Sequence, residues 1–302
     1  MSENFEYCKY LYCWWPKSAF VNLVNAECVE EEKNKINEIM ESWEKARKEF
    51  AKMMITEKGL GRSIQVTDIS KEYTDKINAI ANTDIFKSTF NQMPVEFKIV
   101  EIDKLAVLQN VVNLNYIEKL SKSFSKKPDF DELIDICLTG NKNLSEIAEF
   151  SAGNTLTYTS ENSDLRFLGA VPRSTLIRPD ILTKNIGGIP VKSTALVIGF
   201  GSSLVNVLSY GGRMLLNNGF HRVYALRQAG VTHIPVVVQK VINPALEMGS
   251  YSPALREYIM TAEKMPLLKE YFNDELTVVL KTKIKRKAVK ISWQVDEFTV
   301  PV

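Results

Sequence analysis

The chain has 302 residues, of which 45% are hydrophobic and 25% charged, with 14 Gly and 11 Pro; these fractions exclude a disordered, collagenous or coiled-coil protein. Thirty-eight Lys and Arg against 36 Asp and Glu leave a formal charge of +2, so no global field attracts nucleic acid or an anionic membrane, and any such binding has to come from a local patch. At about 150 residues per domain the length accommodates one large domain or two modest ones.

The four cysteines, Cys8, Cys13, Cys28 and Cys137, are too few and too irregular for a disulfide framework. Cys8 and Cys13 lack CxxC spacing and a nearby histidine, which leaves a zinc site little support. The opening Met1-Ser-Glu-Asn-Phe-Glu6 is acidic and polar, without the basic head and apolar run of a secretory signal, so a cytoplasmic location is expected. Ser193 to Gly212 is 20 residues without a charge. Its Ser202, Ser203, Asn206 and four glycines read as two buried strands joined by Gly-Ser-Ser rather than as a spanning helix, and no membrane is expected as a partner.

Residues 1–25 are aromatic and irregular, with Tyr7, Tyr10, Tyr12, Trp14 and Trp15 before Pro16. From Ala26 to about Met54 the apolar residues Ile36, Met40, Trp43, Phe50 and Met54 recur at helical steps or their multiples. Gly59 and Gly61 end that helix, a second helical piece covers Lys71–Ala81, and Asn91–Pro94 reads as a linker. Val95–Ile102 alternates as a half-buried strand does, and a helix is expected over Asn115–Phe124. Further helices are expected at Phe130–Leu138 and Leu144–Phe150, then a polar loop with short strands. Ala195–Phe200 and Leu204–Tyr210 read as buried strands, Gly211-Gly212 as a hairpin turn, and Met214–Leu216 as the returning strand. A helix follows Asn217-Asn218-Gly219 and runs to Gln228, closed by Gly230, before a strand at His233–Val238. The last segment holds a helix near Pro253–Glu263 and two strand-like runs, Leu276–Ile284 and Ala288–Val295. Lys281, Lys283, Lys285 and Lys287 are two apart and would share one strand face, as a solvated edge that resists aggregation or as a phosphate anchor.

Chemistry concentrates in Arg213–Val238. The Asn-Asn-Gly turn sets Gly219, Phe220, His221 and Arg222 at a helix N-terminus, where unpaired N–H groups and the dipole favour an anion. Arg222 adds a forked cation, Gly219 permits close approach of a ligand to the backbone, and the dipole pushes His221 toward its neutral form. The same residues also read as a helix capped by Asn218, with His221 and Arg222 solvated in its first turn.

This segment resembles the ParB/sulfiredoxin-like superfamily, whose signature is a strand, a Gly-x-His-Arg or Gly-Glu-Arg-Arg turn, a helix, and a strand beginning near Ile-Pro-Val. Gly219-Phe-His-Arg222 and Gly230-Val-Thr-His-Ile-Pro-Val236 carry the likeness, and Ile99–Gln109 with Tyr116-Ile-Glu-Lys-Leu120 is similar to the family's opening strand, loop and helix. The resemblance covers about 50 residues and implies a nucleotide enclosed between the two pieces. Phe220 stands where sulfiredoxin has its catalytic cysteine, so sulfinic acid reduction is excluded. Gln109 and Asn218 stand where the related free-serine kinases have acids, and neither amide takes a proton from a hydroxyl at neutral pH. In ParB proteins a glutamine is common at the position of Gln109, where it could orient water for slow triphosphate hydrolysis, although the Pro-Arg that follows it there is Asn110-Val111 here.

Leu144–Gly153 faintly resembles the first half of a helix-turn-helix, but Asn154–Ser160, the recognition helix it would need, has no Arg or Lys, so DNA has weak support and a lid over the nucleotide is preferred. Trp14, Trp15 and the neighbouring tyrosines read as core against the long helix, with base stacking as the alternative. Arg173 and Arg178 could reach the phosphates from the insertion.

The expected architecture is α+β: a ParB/sulfiredoxin-like mixed-sheet core at 91–245 with an insertion at about 128–192, a helical N-terminal region at 1–90, and a C-terminal helix plus β-hairpin extension at 246–302. The expected ligand is a nucleoside triphosphate, CTP or ATP, with Mg²⁺. Its phosphates would lie on Asn217, Asn218, Gly219, Phe220, His221 and Arg222, with Gln109 and His221 as the catalytic candidates. The use would be regulatory or a slow hydrolysis; a phosphotransferase relying on Glu101 or Asp103 and a non-enzymatic scaffold in a protein assembly are the alternatives, and a homo-oligomer is left open.

Overall fold

The computed structural model describes residues 5–91, 93–139, 146–160, 165–172, 194–248 and 251–299. Its strands are β1 (Phe5–Tyr10), β2 (Val66–Asp68), β3 (Val95–Glu101), β4 (Val111–Asn113), β5 (Ala148–Ala152), β6 (Thr155–Ser160), β7 (Leu165–Pro172), β8 (Thr194–Phe200), β9 (Asn206–Tyr210), β10 (Arg213–Asn218), β11 (His233–Lys240), β12 (Val278–Lys283) and β13 (Lys287–Ser292). The helices are α1 (Lys17–Glu27), α2 (Glu30–Asn34), α3 (Ile36–Thr56), α4 (Thr74–Ala81), α5 (Asp84–Thr89), α6 (Leu114–Ser121), α7 (Phe130–Ile134), α8 (Phe220–Gln228), α9 (Pro244–Glu247) and α10 (Pro253–Thr261). The class is α+β, and the chain divides into two compact units, Met1–Asn141 with Ser202–Ile284, and Lys142–Gly201 with Lys285–Val302.

The first unit is built on a sheet of order β10-β9-β11-β3-β2. Its central strand, β11, pairs antiparallel with β3 from His233↔Glu101 to Gln239↔Val95 and parallel with β9 from Val237↔Asn206 to Lys240↔Ser209. A strand covered on both faces reads as a continuous apolar run, and Ile234, Val236, Val237 and Val238 are all buried. β9 and β10 form the expected hairpin, turned by Gly211 and Gly212 at φ +57° and +77°, the left-handed pair that a two-residue hairpin turn demands. Beyond β10, Ala106 pairs in parallel with Leu215, donating to the Met214 carbonyl at 2.9 Å and accepting from Leu216 N–H at 2.8 Å. A second sheet, β12-β1-β4, joins the ends of the chain through Phe5↔Lys283 to Tyr10↔Val278. Trp14 packs edge-on against Phe50 of α3 with ring centroids 4.5 Å apart, and Trp43 donates to the Trp15 carbonyl at 3.2 Å, so Trp14 and Trp15 pack partly buried on the core while Tyr10 and Tyr12 are buried in it.

In the second unit β13-β6-β5 is one antiparallel sheet and β7-β8 another. Several expectations are corrected. The helix over Leu144–Phe150 is absent from the described residues: β5 begins at Ala148 and pairs with β6. Thr155, Thr157 and Thr159 are β-branched at a period of two, which suits a pleated strand. The supposed recognition helix Asn154–Ser160 is therefore mostly β6, and the helix-turn-helix support for DNA falls with it. Ala195–Phe200 is a strand as expected, within β8, but none of its residues is buried; β8 pairs with β7, and β9 with β10 and β11. The C-terminal β-hairpin is likewise not formed: β12 pairs with β1 in the first unit and β13 with β6 in the second. Lys281 and Lys283 consequently sit on a different sheet from Lys287, and Lys281 is bridged to Glu31 at 2.9 Å. The helix expected to begin at Ala26 is split between α1, α2 and α3. Among the described residues no helix is long and apolar enough to cross a membrane.

Candidate functional site

The Asn217–Arg222 turn leaves β10 and enters α8 with no intervening loop, which requires one residue in the left-handed region. Gly219 is that residue, at φ +92°, and a Cβ on it would stand 2.7 Å from Val205 Cγ2. Glycine is demanded here by the fold itself, without a ligand.

The two asparagines are engaged within the first unit. Asn217 Nδ2 donates to Asn206 Oδ1 at 2.8 Å, and its Oδ1 accepts from the Tyr251 hydroxyl at 2.9 Å. Asn218 Nδ2 donates to the Ser202 carbonyl and, at 3.0 Å, to the Leu204 carbonyl, while its Oδ1 accepts Gly219 N–H at 2.9 Å. Asn218 is thus not the helix cap; α8 has no side-chain cap. The N–H groups of the first helical residues lie outside the intrahelical ladder, and among the described residues those of Phe220 and His221 have no partner. The Phe220 side chain is buried, 5.3 Å from the Tyr271 ring centroid.

His221 Nε2 accepts the backbone N–H of Asn113, the last residue of β4, at 3.3 Å. An acceptor Nε2 is unprotonated, so the proton of the neutral ring resides on Nδ1, which has no hydrogen-bond partner among the described residues. The ring lies edge-on to Tyr116 of α6 and to Phe220, with centroids at 5.4 and 5.7 Å. Burial lowers its pKa from the usual 6.5 to about 4. The neutral imidazole expected from the helix dipole is therefore reached chiefly by desolvation.

Arg222 Nη1 donates to the Ile136 carbonyl at 2.9 Å. Ile136 lies in the single π-helical turn Asp135–Thr139 that continues α7. The neighbouring Cys137 thiol is raised to about 12 by burial, which the Arg222 charge partly offsets. At least one guanidinium donor is accordingly used inside the fold.

Gln109 follows three residues after Ala106, which pairs with Leu215, and among the described residues it makes no hydrogen bond to the Asn217–Arg222 turn. The Gln109 side chain is exposed and folds back on the Val111 carbonyl at 2.9 Å, and its own carbonyl accepts from the Tyr271 hydroxyl at 2.7 Å. One aromatic ring, Tyr271, thus links the Gln109 loop to Phe220. The carboxylates named for phosphoryl transfer have partners elsewhere. Asp103 pairs with Arg227 at 2.5 and 3.2 Å, seven residues along α8 from Phe220, or about 10 Å of helix axis. Glu101 pairs with Lys104 at 3.2 Å and accepts Gln65 N–H at 3.3 Å. Arg173 and Arg178 lie outside the described residues.

Asn113, Val205, Asn206, Tyr251 and Tyr271 complete the setting, and none was singled out from the sequence. Their partners are 11 to 162 residues away (Asn206 against Asn217, Tyr271 against Gln109), beyond any local pattern. Among the described residues no group of three or more His, Cys, Asp or Glu could hold a metal ion. No protein-family model matches the chain, and no curated protein or solved structure matches it either.

Proposed function

We propose that the first unit is a ParB/sulfiredoxin-like nucleotide-binding fold that seats phosphate oxygens at the start of α8, for regulation or for slow hydrolysis of a bound triphosphate. The observation that carries this reading is the set of donors left over in one turn: the N–H groups of Phe220 and His221 and the protonated Nδ1 of a neutral His221. The order β3, α6, the β9–β10 hairpin, α8 and β11 supports it, being the order of the family's strand, helix, turn and strand. Backbone N–H groups bind a phosphate without bringing charge, the helix dipole favours it, and Arg222 supplies the cation. Gln109 is the residue to orient water. Mg²⁺ would be held by the phosphates, since neither Glu101 nor Asp103 contacts the turn.

Equilibrium binding of CTP, ATP and ADP, with and without Mg²⁺, tests the reading. Loss of a hydrogen bond from a charged donor is worth about 1.5–3 kcal/mol and from a neutral one about 1 kcal/mol. Arg222→Ala is then expected to weaken binding about 10- to 100-fold and His221→Ala about fivefold. No binding by the intact chain refutes the reading.

A structural role is favoured by a different observation: Asn217, Asn218 and Arg222 already donate to Asn206, to Ser202 and Leu204, and to Ile136. Under that reading the two variants lose stability, and no nucleotide changes the unfolding of the intact chain. Phosphate release with nucleotide alone supports hydrolysis, and release only with an added acceptor supports the phosphotransferase.

A further inference from the structure

The chain leaves the first unit after Asn141, returns at Ser202 and leaves again after Ile284. Residues of the α8 turn hold the first two of these three connections on the first unit's side. Arg222 Nη1 donates to Ile136 at 2.9 Å, five residues before the outgoing crossing. Asn218 Nδ2 donates to Ser202 and Leu204 on the returning one, and Gly219 packs on Val205. The two connections are also tied to each other, Val205 N–H donating to the Cys137 carbonyl at 2.8 Å.

We propose that the Asn218–Arg222 turn is a clasp on the first two of the three chain connections to the second unit, and that an anion seated at the start of α8 opens it by competing for Arg222. The anion part rests on the phosphate reading above. The competition follows from charge: an Arg donor bonds a phosphate oxygen roughly twice as strongly as a neutral carbonyl. When Arg222 turns to the anion, the Ile136 carbonyl loses its partner at the end of a helical segment, where carbonyls have no intrahelical donor. The segment 135–139 and its bond to Val205 then open more often, because local opening follows the least-supported backbone bonds.

Hydrogen exchange of the full chain, read on peptides covering 133–139 and 202–209, tests the clasp with ATP plus Mg²⁺ and with inorganic pyrophosphate as probes. Arg222→Gln without any probe is expected to exchange about tenfold faster in both peptides, from a lost charged hydrogen bond. Arg222→Lys, which keeps a donor for the carbonyl, is expected to stay closer to the parent. Saturating probe should accelerate the same peptides in the parent chain. Unchanged exchange in Arg222→Gln overturns the clasp whatever binds. Binding of a probe with both peptides unchanged overturns it and leaves the phosphate reading standing. Faster exchange in the variant with no probe bound by the parent removes the trigger and the phosphate reading together.

Discussion

Gly219→Ala isolates what the fold demands of the turn. Gly219 and Gly230, at opposite ends of α8, have φ of +92° and +87°, but only at 219 would a Cβ collide, 2.7 Å from Val205 Cγ2; at 230 nothing lies within 4 Å. The left-handed conformation costs an alanine about 1–2 kcal/mol at either position. Overpacking adds about 1–3 kcal/mol at 219 alone, so Gly230→Ala should cost about 1–2 and Gly219→Ala about 2–5 kcal/mol. Val205→Ala removes the two methyl groups nearest the clash at its own cost of about 2 kcal/mol. In Gly219→Ala/Val205→Ala the losses should then fall short of additivity. Val205 Cβ and Cα, at 3.2 and 3.3 Å, persist in that variant, which holds the coupling to about 1 kcal/mol, the lower part of the range for touching residues. Urea unfolding followed by tryptophan fluorescence reports on the first unit, which contains Trp14, Trp15 and Trp43 of the four tryptophans. Equal midpoint shifts for the two alanine variants, or strict additivity in the double variant, would refute the steric argument.

His221 gives a pH dependence with a definite sign. A histidine whose folded pKa is about 4 against an ordinary 6.5 binds fewer protons folded than unfolded, so its contribution is present above pH 6.5 and is lost as pH falls toward 4. The loss is at most about 3 kcal/mol; urea midpoints at pH 7 and pH 4.5 should separate more for the parent than for His221→Asn, and equal separations would contradict the burial of the ring. A second test concerns Lys264, buried against Glu270 and 3.3 Å from Glu57, with Trp14 Nε1 on Glu270 at 3.0 Å. Lys264→Met leaves the buried Glu270 without its cation, while Glu57 keeps Lys269 at 2.6 Å, and should cost about 3–5 kcal/mol, whereas Lys264→Met/Glu270→Leu should recover much of it. A double variant no more stable than Lys264→Met would show that the ion pair is not the term that matters.

How much of this was legible in the sequence follows the range of the interactions. β3, α6, the β9–β10 hairpin, α8 and β11 are all close to their expected positions, because turn glycines, alternation and helical spacing are local signals. β1 was hidden in an aromatic run, although Phe5–Tyr10 is strand, since its partners in β12 are more than 260 residues away. Lys287 of β13 is likewise over 120 residues from its partner Ser160. Proximity along the chain therefore suggested a β12–β13 hairpin, and pairing with distant strands prevented it. β5 and β6 were mistaken where Ile147 and Phe150 mimic a helical step, and only the alternating threonines carried the opposite signal.

The turn itself shows why a motif's residues divide into two kinds. Any glycine-turn helix start that emerges directly from a strand must fix a left-handed residue and hold the adjoining backbone, and Gly219, Asn217, Asn218 and Arg222 do this through Val205, Asn206, Ser202, Leu204 and Ile136. The first N–H groups of α8 are different: no residue of the helix can reach them, so they stay open unless the tertiary structure covers them. Among the described residues nothing accepts from the N–H groups of Phe220 and His221, and His221, whose Nε2 is fastened to Asn113, carries a second type of donor. The affinity of such a site would reside in main chain and one ring nitrogen, and its geometry in the surrounding side chains. Substitutions at Asn217 or Asn218 should accordingly disturb the fold of the turn before they alter the chemistry that it presents.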